Sequence, residues 1–362
     1  MERRKVGILG ATGTVGQRFI QLLSHHPWFE IAWLAASDRS AGKRYDEACR
    51  WKLDTPLPAR IAAMTLMPNV PEGTPQGELP RIIFAALDAT HAHELEPKFA
   101  AAGCAVISNS SAFRMTRDVP LVIPEVNAEH LHLIEEQPTR KDSGGYMVTN
   151  PNCSTIGLVL ALKPIEERFG IEQIFAATMQ AVSGAGYPGV ASMDILDNVV
   201  PYIGSEEEKM EAETLKLLGK LEGHGVTPLN AKMTAHCNRV PVVDGHTECV
   251  SIKLRRAATR EDILAAWAEF KPLAGMELPF APEQPVEWTE QNDRPQPRLD
   301  RNRGNGMTVT VGRLRPCNLL DWKFVLLSHN TVRGAAGATI LNAELLANLG
   351  KLEPAAVTAG RA

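Results

Sequence analysis

The 362-residue sequence has no long apolar run, no excess of basic charge and no paired cysteines. Its longest apolar stretches, such as residues 156–162, fall far short of the ~20 residues a membrane-spanning helix needs. A formal net charge of −4 offers no positive field to nucleic acid or an anionic lipid surface. The start, MERRKVGILGATG, passes from two arginines straight into strand and glycine-turn signals, without the apolar region or cleavage site of a signal peptide. Six cysteines (Cys49, Cys104, Cys153, Cys237, Cys249 and Cys317) are scattered with no CxxC, so neither a disulfide scaffold nor a zinc site is expected. No metal-ligand cluster and no internal repeat is visible, and no metal is expected. What remains is the balance of a soluble globular protein, 44% hydrophobic and 22% charged, in a chain long enough for two domains. The expected location is the cytoplasm.

The clearest positive signal comes first in the chain. KVGILGATGTVGQRFIQLL reads as a strand at residues 6–9, a glycine turn, and a helix with apolar Val15, Phe19, Leu22 and Leu23. Gly10, Gly13 and Gly16 have GxxGxxG spacing in place of the GxGxxG dinucleotide fingerprint, but the physical requirement is unchanged. Gly10 permits the tight turn, Gly13 lets the backbone approach a pyrophosphate, and Gly16 lets the helix pack closely. The loop residues Gly10, Thr12, Gly13, Thr14, Val15 and Gly16 are the cofactor-binding candidates. A second strand at 30–37 ends in Ser37-Asp38-Arg39-Ser40. Ser37, Arg39 and Ser40 suit the 2′-phosphate of NADP, whereas Asp38 would repel it and suits NAD. NADP is the favoured cofactor. Strands at 81–86 and 105–108 with a helix at 91–102 between them predict a parallel sheet with crossover helices. SNSSAFRM follows the later strand, and its Arg114 suits an anion, although a lone arginine there is equally a solvated surface residue.

TNPNCSTIGLVLALKP (149–164) poses the chemical question. Pro151 blocks an incoming helix and biases Asn150 towards extended backbone. The run after it predicts a helix from about Ser154, with Cys153 near the N-cap, where unsatisfied N–H groups and the helix dipole favour a thiolate. The same N–H groups suit the oxyanion of a tetrahedral adduct. The alternative is one more small buried residue. HCNRVPVVDGHTECVSIKL (236–254) places Arg239 and His246 on either side of a turn leading into a strand, a suitable pair for binding a carboxylate and moving a proton. QAVSGAGYPG (180–189) has glycines suited to close backbone approach to a ligand, or to an ordinary loop. GSEEEKMEAETLKLL (204–218) has the acidic start common to solvated helices.

In combination these segments resemble the aspartate-semialdehyde dehydrogenase family, in the branch found in archaea, fungi and some bacteria. The resemblance runs through GATGTVGQRF, ASDRSAGKRY, NPNCST, QAVSGAGYPG, NRVPVVDGH and NTVRGAAG, and covers almost the whole chain. It implies NADPH-dependent reductive dephosphorylation of L-4-aspartyl phosphate to L-aspartate 4-semialdehyde, a step towards lysine (through diaminopimelate), threonine and methionine. It implies Cys153 as the acylated nucleophile, His246 as acid/base and Gln180 as the group orienting substrate. Arg239 would hold the substrate carboxylate and Glu206 its amino group, although three consecutive glutamates admit a slip of register. Arg114 and Lys209 would bind phosphate, and Ser183, Gly184 and Asn330 would meet the nicotinamide end. The implied fold is α/β: a Rossmann-type domain at 1–152, to which a C-terminal helix within 331–362 returns, and an α+β catalytic and dimerisation domain at 153–330 with a mostly antiparallel sheet. Strands are expected at 174–182, 248–253, 307–313 and 324–328, a long loop at 279–306, and a helix at 334–349. The partners expected are small molecules and further copies of the chain, as a homodimer or homotetramer. A malonyl-CoA reductase on the same scaffold, or a non-catalytic NADP-binding regulator, are the competing readings.

Overall fold

The computed structural model describes residues 3–74 and 77–353, and they form two compact units. The first comprises Met1–Pro120, Leu131–Asn150 and Thr339–Ala362; the second comprises Leu121–His130 and Pro151–Ala338. The C-terminal EPAAVTAGRA (353–362), which reads in the sequence as a loose tail, lies beyond Glu353 outside the described residues.

The first unit is built on six strands: β1 (Arg4–Leu9), β2 (Phe29–Ala36), β3 (Met67–Pro68), β4 (Ile82–Ala85), β5 (Ala105–Ser108) and β6 (Tyr146–Thr149). They run in the order β3-β2-β1-β4-β5-β6, every pairing parallel. Parallel strands need crossovers, supplied here by helices such as Thr14–Leu23 and Ala89–Ala101. All of β4 and β5 is buried, as helices on both faces require. Asp88 starts the Ala89–Ala101 helix by accepting the Thr90 and His91 N–H groups. The order reverses between β1 and β4, and the glycine loop leaves β1 at that point. The four expected strands are present with slightly shifted ends. β3 and β6 had no counterpart in the sequence pattern, being too short to show a period.

The second unit carries β7 (Ile171–Gln180), a small hairpin of β8 (Lys220–Glu222) and β9 (Gly225–Thr227), β10 (Lys232–Arg239), β11 (His246–Leu254), β12 (Val286–Thr289), β13 (Val309–Pro316) and β14 (Trp322–Ser328). Its large sheet runs β10-β7-β11-β14-β13-β12. The inner ladders are antiparallel and the two outer pairings, β10 with β7 and β12 with β13, are parallel, so the sheet is mixed. Three of the five ladders are antiparallel, as expected, while residues 279–306 contain edge strand β12, a short helix at Pro297–Asp300 and a 3₁₀ turn at Arg303–Gly306 instead of one long loop. Proline and charge masked a strand of only four residues there. The helix Cys153–Phe169 packs on this sheet and is buried on every side from Ser154 to Leu162, which explains its continuous apolar run. Trp267 pins it, donating from Nε1 to the Ala161 carbonyl at 2.8 Å while stacking on Trp288. Towards the C-terminus the expected single helix is divided: a π-helical turn at Val332–Ala336 leads into the α-helix Gly337–Asn348.

Candidate active site

Strand register gathers the reactive residues of the second unit into one row. Arg239 on β10 lies opposite Gln180 on β7, and His246 on β11 lies opposite Ser328 on β14. Thr247 pairs with Met179, which brings His246 beside Gln180. Side chains alternate along a strand, so this row and the one behind it (Cys237, Thr178 and Glu248) share the buried face. The nucleophile helix covers that face. At its first residue, Cys153 Sγ lies 3.2 Å from His246 Nε2.

Asn152, and not Cys153, is the N-cap: its Oδ1 accepts the N–H groups of Ser154 and Thr155 at 2.9 and 3.2 Å. An asparagine before the first turn is a strong helix start, and here it leaves the cysteine as the first helical residue, half-buried at the positive helix end. Cys104 and Cys237 make the contrast, because burial pushes both thiols up to about 12 and leaves them inert.

His246 is fully buried, and its Nδ1 accepts the Ala181 N–H at 3.0 Å. The proton of the neutral ring therefore sits on Nε2, facing the sulfur. Burial first, then the positive charge of Arg239 and the nearby His329, push the imidazole down to about 3. Arg239 donates from Nη1 to the Ala181 carbonyl at 2.8 Å, and its charge is felt by both Cys153 and Glu206. Ala181 thus ties histidine and arginine together through one backbone residue. Gly184 follows in the turn Val182–Ala185, where a Cβ would lie 2.9 Å from Arg239 Nη1 and 3.3 Å from His246 Nε2. Asn330 clamps this loop, donating to Ser183 Oγ and accepting the Gly245 N–H, both at 2.8 Å.

Among the three consecutive glutamates, Glu206 alone is buried, and it accepts from Asn152 Nδ2 at 2.9 Å. Glu207 accepts the Cys237 N–H and Glu208 is exposed. Lys209 lies half-buried in the first turn of the same helix.

Several groups at this site left no readable signal in the sequence. Glu213 accepts the Asn152 N–H at 2.7 Å. Gly334, in the π-helical turn, presses on Cys153, since a Cβ there would lie 2.8 Å from Cys153 Cβ. Its neighbour Arg333 is sealed in a buried ion pair with Glu125 at 2.5 Å. Glu248 lies one pleat behind His246 with no hydrogen bond to either oxygen among the described residues, and burial with Glu206 nearby raises its carboxyl well above the usual range. The NTVRGAAG motif marks the turn, but only packing explains its glycine.

The remaining candidates belong to the first unit. Gly10 has φ +71°, and a Cβ there would meet the Ala86 carbonyl oxygen at 2.6 Å. A Cβ on Gly16 would lie 2.3 Å from Gly10 O, while the nearest protein atom to a Cβ on Gly13 is 3.4 Å away. The protein itself thus requires glycine at 10 and 16, and at 13 it leaves room for a ligand. The helix that follows has no side-chain cap, and the Thr14 hydroxyl is buried without a hydrogen bond among the described residues. Unsatisfied donors at a helix N-terminus beside an open glycine fit a dinucleotide phosphate. Thr12 and Val15 flank this turn. Ser37, Asp38 and Arg39 are exposed and Ser40 half-buried in the turn after β2. Arg114 is buried, and its Nη2 donates to the Asn109 carbonyl at 2.7 Å within the SNSSAFR loop.

The chain is similar to known proteins over nearly its whole length. Residues 5–134 match the family model described as semialdehyde dehydrogenase, NAD binding domain, and residues 162–333 the one described as semialdehyde dehydrogenase, dimerisation domain. The chain is 52% identical over 344 residues to the aspartate-semialdehyde dehydrogenase of Archaeoglobus fulgidus, covering 95% of this chain and 98% of that one. It is 47% identical over 363 residues to that of Candida albicans, covering 96% and 98%. The crystal structure of aspartate semialdehyde dehydrogenase with NADP from Candida albicans superposes with a TM-score of 0.88 at 46% identity, over 96% of this chain and 99% of that one.

Proposed function

Since the chain belongs to the aspartate-semialdehyde dehydrogenase family, we propose that it interconverts L-4-aspartyl phosphate and L-aspartate 4-semialdehyde with NADP as cofactor, a step of amino-acid biosynthesis. The observation that carries the residue assignments is the Cys153–His246 contact of 3.2 Å at a helix start, with Arg239 and Glu206 beside it.

In the reductive direction the Cys153 thiolate attacks the carbonyl carbon of the acyl phosphate. The C–O bond to phosphate breaks, phosphate leaves, and a thioester remains on Sγ. His246 contributes as a neutral ring. Its Nδ1 is occupied by the Ala181 N–H and its site opposes a positive charge, so Nε2–H donates a hydrogen bond to sulfur and then to the carbonyl oxygen as charge develops. Nε2 is also the atom through which the acid/base role implied for His246 by the resemblance would pass. When bound, the dinucleotide supplies the hydride that reduces the thioester carbonyl. The thiohemiacetal anion then collapses, its C–S bond breaking to release aldehyde and return the thiolate.

Arg239 holds the α-carboxylate, Glu206 the ammonium group, and Gln180 orients the substrate between them. Arg114 and Lys209 bind phosphate. On the cofactor side, Gly10, Thr12, Gly13, Thr14, Val15 and Gly16 hold the pyrophosphate, Ser37, Arg39 and Ser40 the adenosine ribose phosphate, and Ser183, Gly184 and Asn330 the nicotinamide. Residues 1–152, with a C-terminal segment in 331–362, serve the cofactor, and 153–330 serve catalysis. The outer face of the second sheet exposes Phe175 and Met179 by about a third, which supports assembly of copies as a dimer or tetramer in the cytoplasm.

The test is phosphate-dependent reduction of NADP with aspartate semialdehyde, in wild type and Cys153→Ser. The wild type should turn over, and the variant should lose about 10⁴-fold or more in kcat. A wild type that is silent here but oxidises NADPH with malonyl-CoA would establish the CoA-thioester reading instead.

A further inference from the structure

The nucleophile does not hold itself in place. Cys153 inherits its orientation from the peptide before it, and Asn152 has every polar group engaged. Its Oδ1 caps the helix, its carbonyl accepts the Ile156 N–H at 3.1 Å, its Nδ2 donates to Glu206, and its N–H donates to Glu213 Oε2 at 2.7 Å. Asn152 is 6% exposed, Glu206 7% and Glu213 2%, so no bulk water competes for these bonds. Glu206 and Glu213 stand two turns apart on the helix Glu206–Leu217, on one face of it, and grip the asparagine at its side-chain and backbone ends.

The two grips differ in what they do. The Glu206 carboxylate is the group assigned above to the substrate's ammonium. Glu213 takes the backbone end of the grip, at the peptide that leads into Cys153. A buried carboxylate accepting a backbone N–H is a charge-assisted bond, roughly twice as strong as a neutral one. Its removal leaves a buried N–H orphaned at the residue before the nucleophile.

We propose that Glu213 is a positioning residue for catalysis, acting through the Asn152 backbone amide to hold Cys153 Sγ at its point of attack. The proposal rests on the assignment of Cys153 as nucleophile. A misplacement of about 1 Å at a reacting atom costs on the order of 10²-fold in rate.

The experiment compares Glu213→Ala and Glu213→Gln in the full chain, reading kcat, KM and amide hydrogen exchange at residues 152–155. Alanine should lower kcat by about 10²-fold while KM for aspartate semialdehyde and phosphate stays within about threefold. Glutamine, which keeps an acceptor oxygen but loses the charge, should lower kcat by only a few-fold, well short of the alanine loss. The Asn152 amide should exchange at least about tenfold faster with alanine than with glutamine. A kcat within twofold of wild type in the alanine variant, or a loss confined to KM, overturns the proposal. If the alanine chain does not fold, glutamine decides: it should lower kcat and speed Asn152 exchange by a few-fold, and no change in either overturns the idea. Should wild type prove inactive with aspartate semialdehyde, the proposed function fails, whereas the exchange measurement still reads the Glu213 grip.

Discussion

The glycine loop of the first sheet and the catalytic row of the second reach chemical competence by opposite routes. The loop is local. Gly10, Gly13 and Gly16 lie within one turn and one helix start; Gly16 is crowded by the loop itself, and Gly10 meets one other segment, at Ala86 and Leu87. The row is assembled from afar, since Arg239, Gln180, His246 and Ser328 come from four strands and are aligned only by ladder register. A local device tolerates change elsewhere in the chain. A row held by register depends on whatever fixes its neighbours, and that explains the second set of groups around it: Ala181, Asn152, Glu213 and Gly334.

Gly334→Ala tests the packed region most severely. The added methyl would lie 2.8 Å from Cys153 Cβ and 3.0 Å from its Cα, neither of which is the movable end of a side chain. We expect kcat to fall by about 10²-fold or more, with cofactor affinity within about threefold, measured by steady-state kinetics. Retention of most activity would mean that the nucleophile tolerates displacement after all.

The loop should answer differently according to which glycine is changed. Gly16→Ala puts a Cβ 2.3 Å from Gly10 O and should cost about 1–3 kcal/mol of stability, seen as a lower Tm. Gly13→Ala meets nothing in the protein closer than 3.4 Å, so Tm should hold while KM for NADP rises by about tenfold. Equal effects on Tm would remove the distinction between a glycine required by the fold and one required by a ligand.

The smallest effect concerns Glu248, a carboxyl buried one pleat behind the row. Its ionisation is displaced upward by burial first and then by Glu206. A raised folded value means that the native state holds the proton more tightly than the unfolded chain. The associated stability is therefore present below the usual carboxylate range, about 4.5, and is lost as pH rises above it. Glu248→Gln mimics the protonated acid, so its Tm should match wild type near pH 4 and exceed it by about 2–4 °C at pH 8. The reverse order at pH 8 would mean that Glu248 is ionised and paired in the native protein.

How much was legible follows from the same contrast. Strands β1, β2, β4 and β5 of the first sheet carry buried runs and the helix after the loop has a clear period, so they show in the pattern, whereas β3 and β6 are too short to do so. Cys153 and His246 were singled out by their local settings, but the contact between them spans 93 residues and no periodicity reports it. Strand β12 stayed hidden in a proline-rich segment, because four residues paired on an edge need little propensity of their own. Local pattern placed the helix N-terminus within two residues, and the side-chain bonds of Asn152 then set Cys153 inside the helix.

The sequence by itself determined the alternating architecture of the first sheet, the glycine turn and the presence of a cysteine at a helix start, because each depends on residues within a few positions of one another. Only the tertiary structure decided which nitrogen of His246 faces the sulfur, which of three glutamates is buried beside Asn152, and that Glu213 bonds the Asn152 amide while Gly334 packs on Cys153. Those outcomes depend on hydrogen bonds and contacts between elements far apart in the chain, set by how strands align and how closely a helix can lie on them.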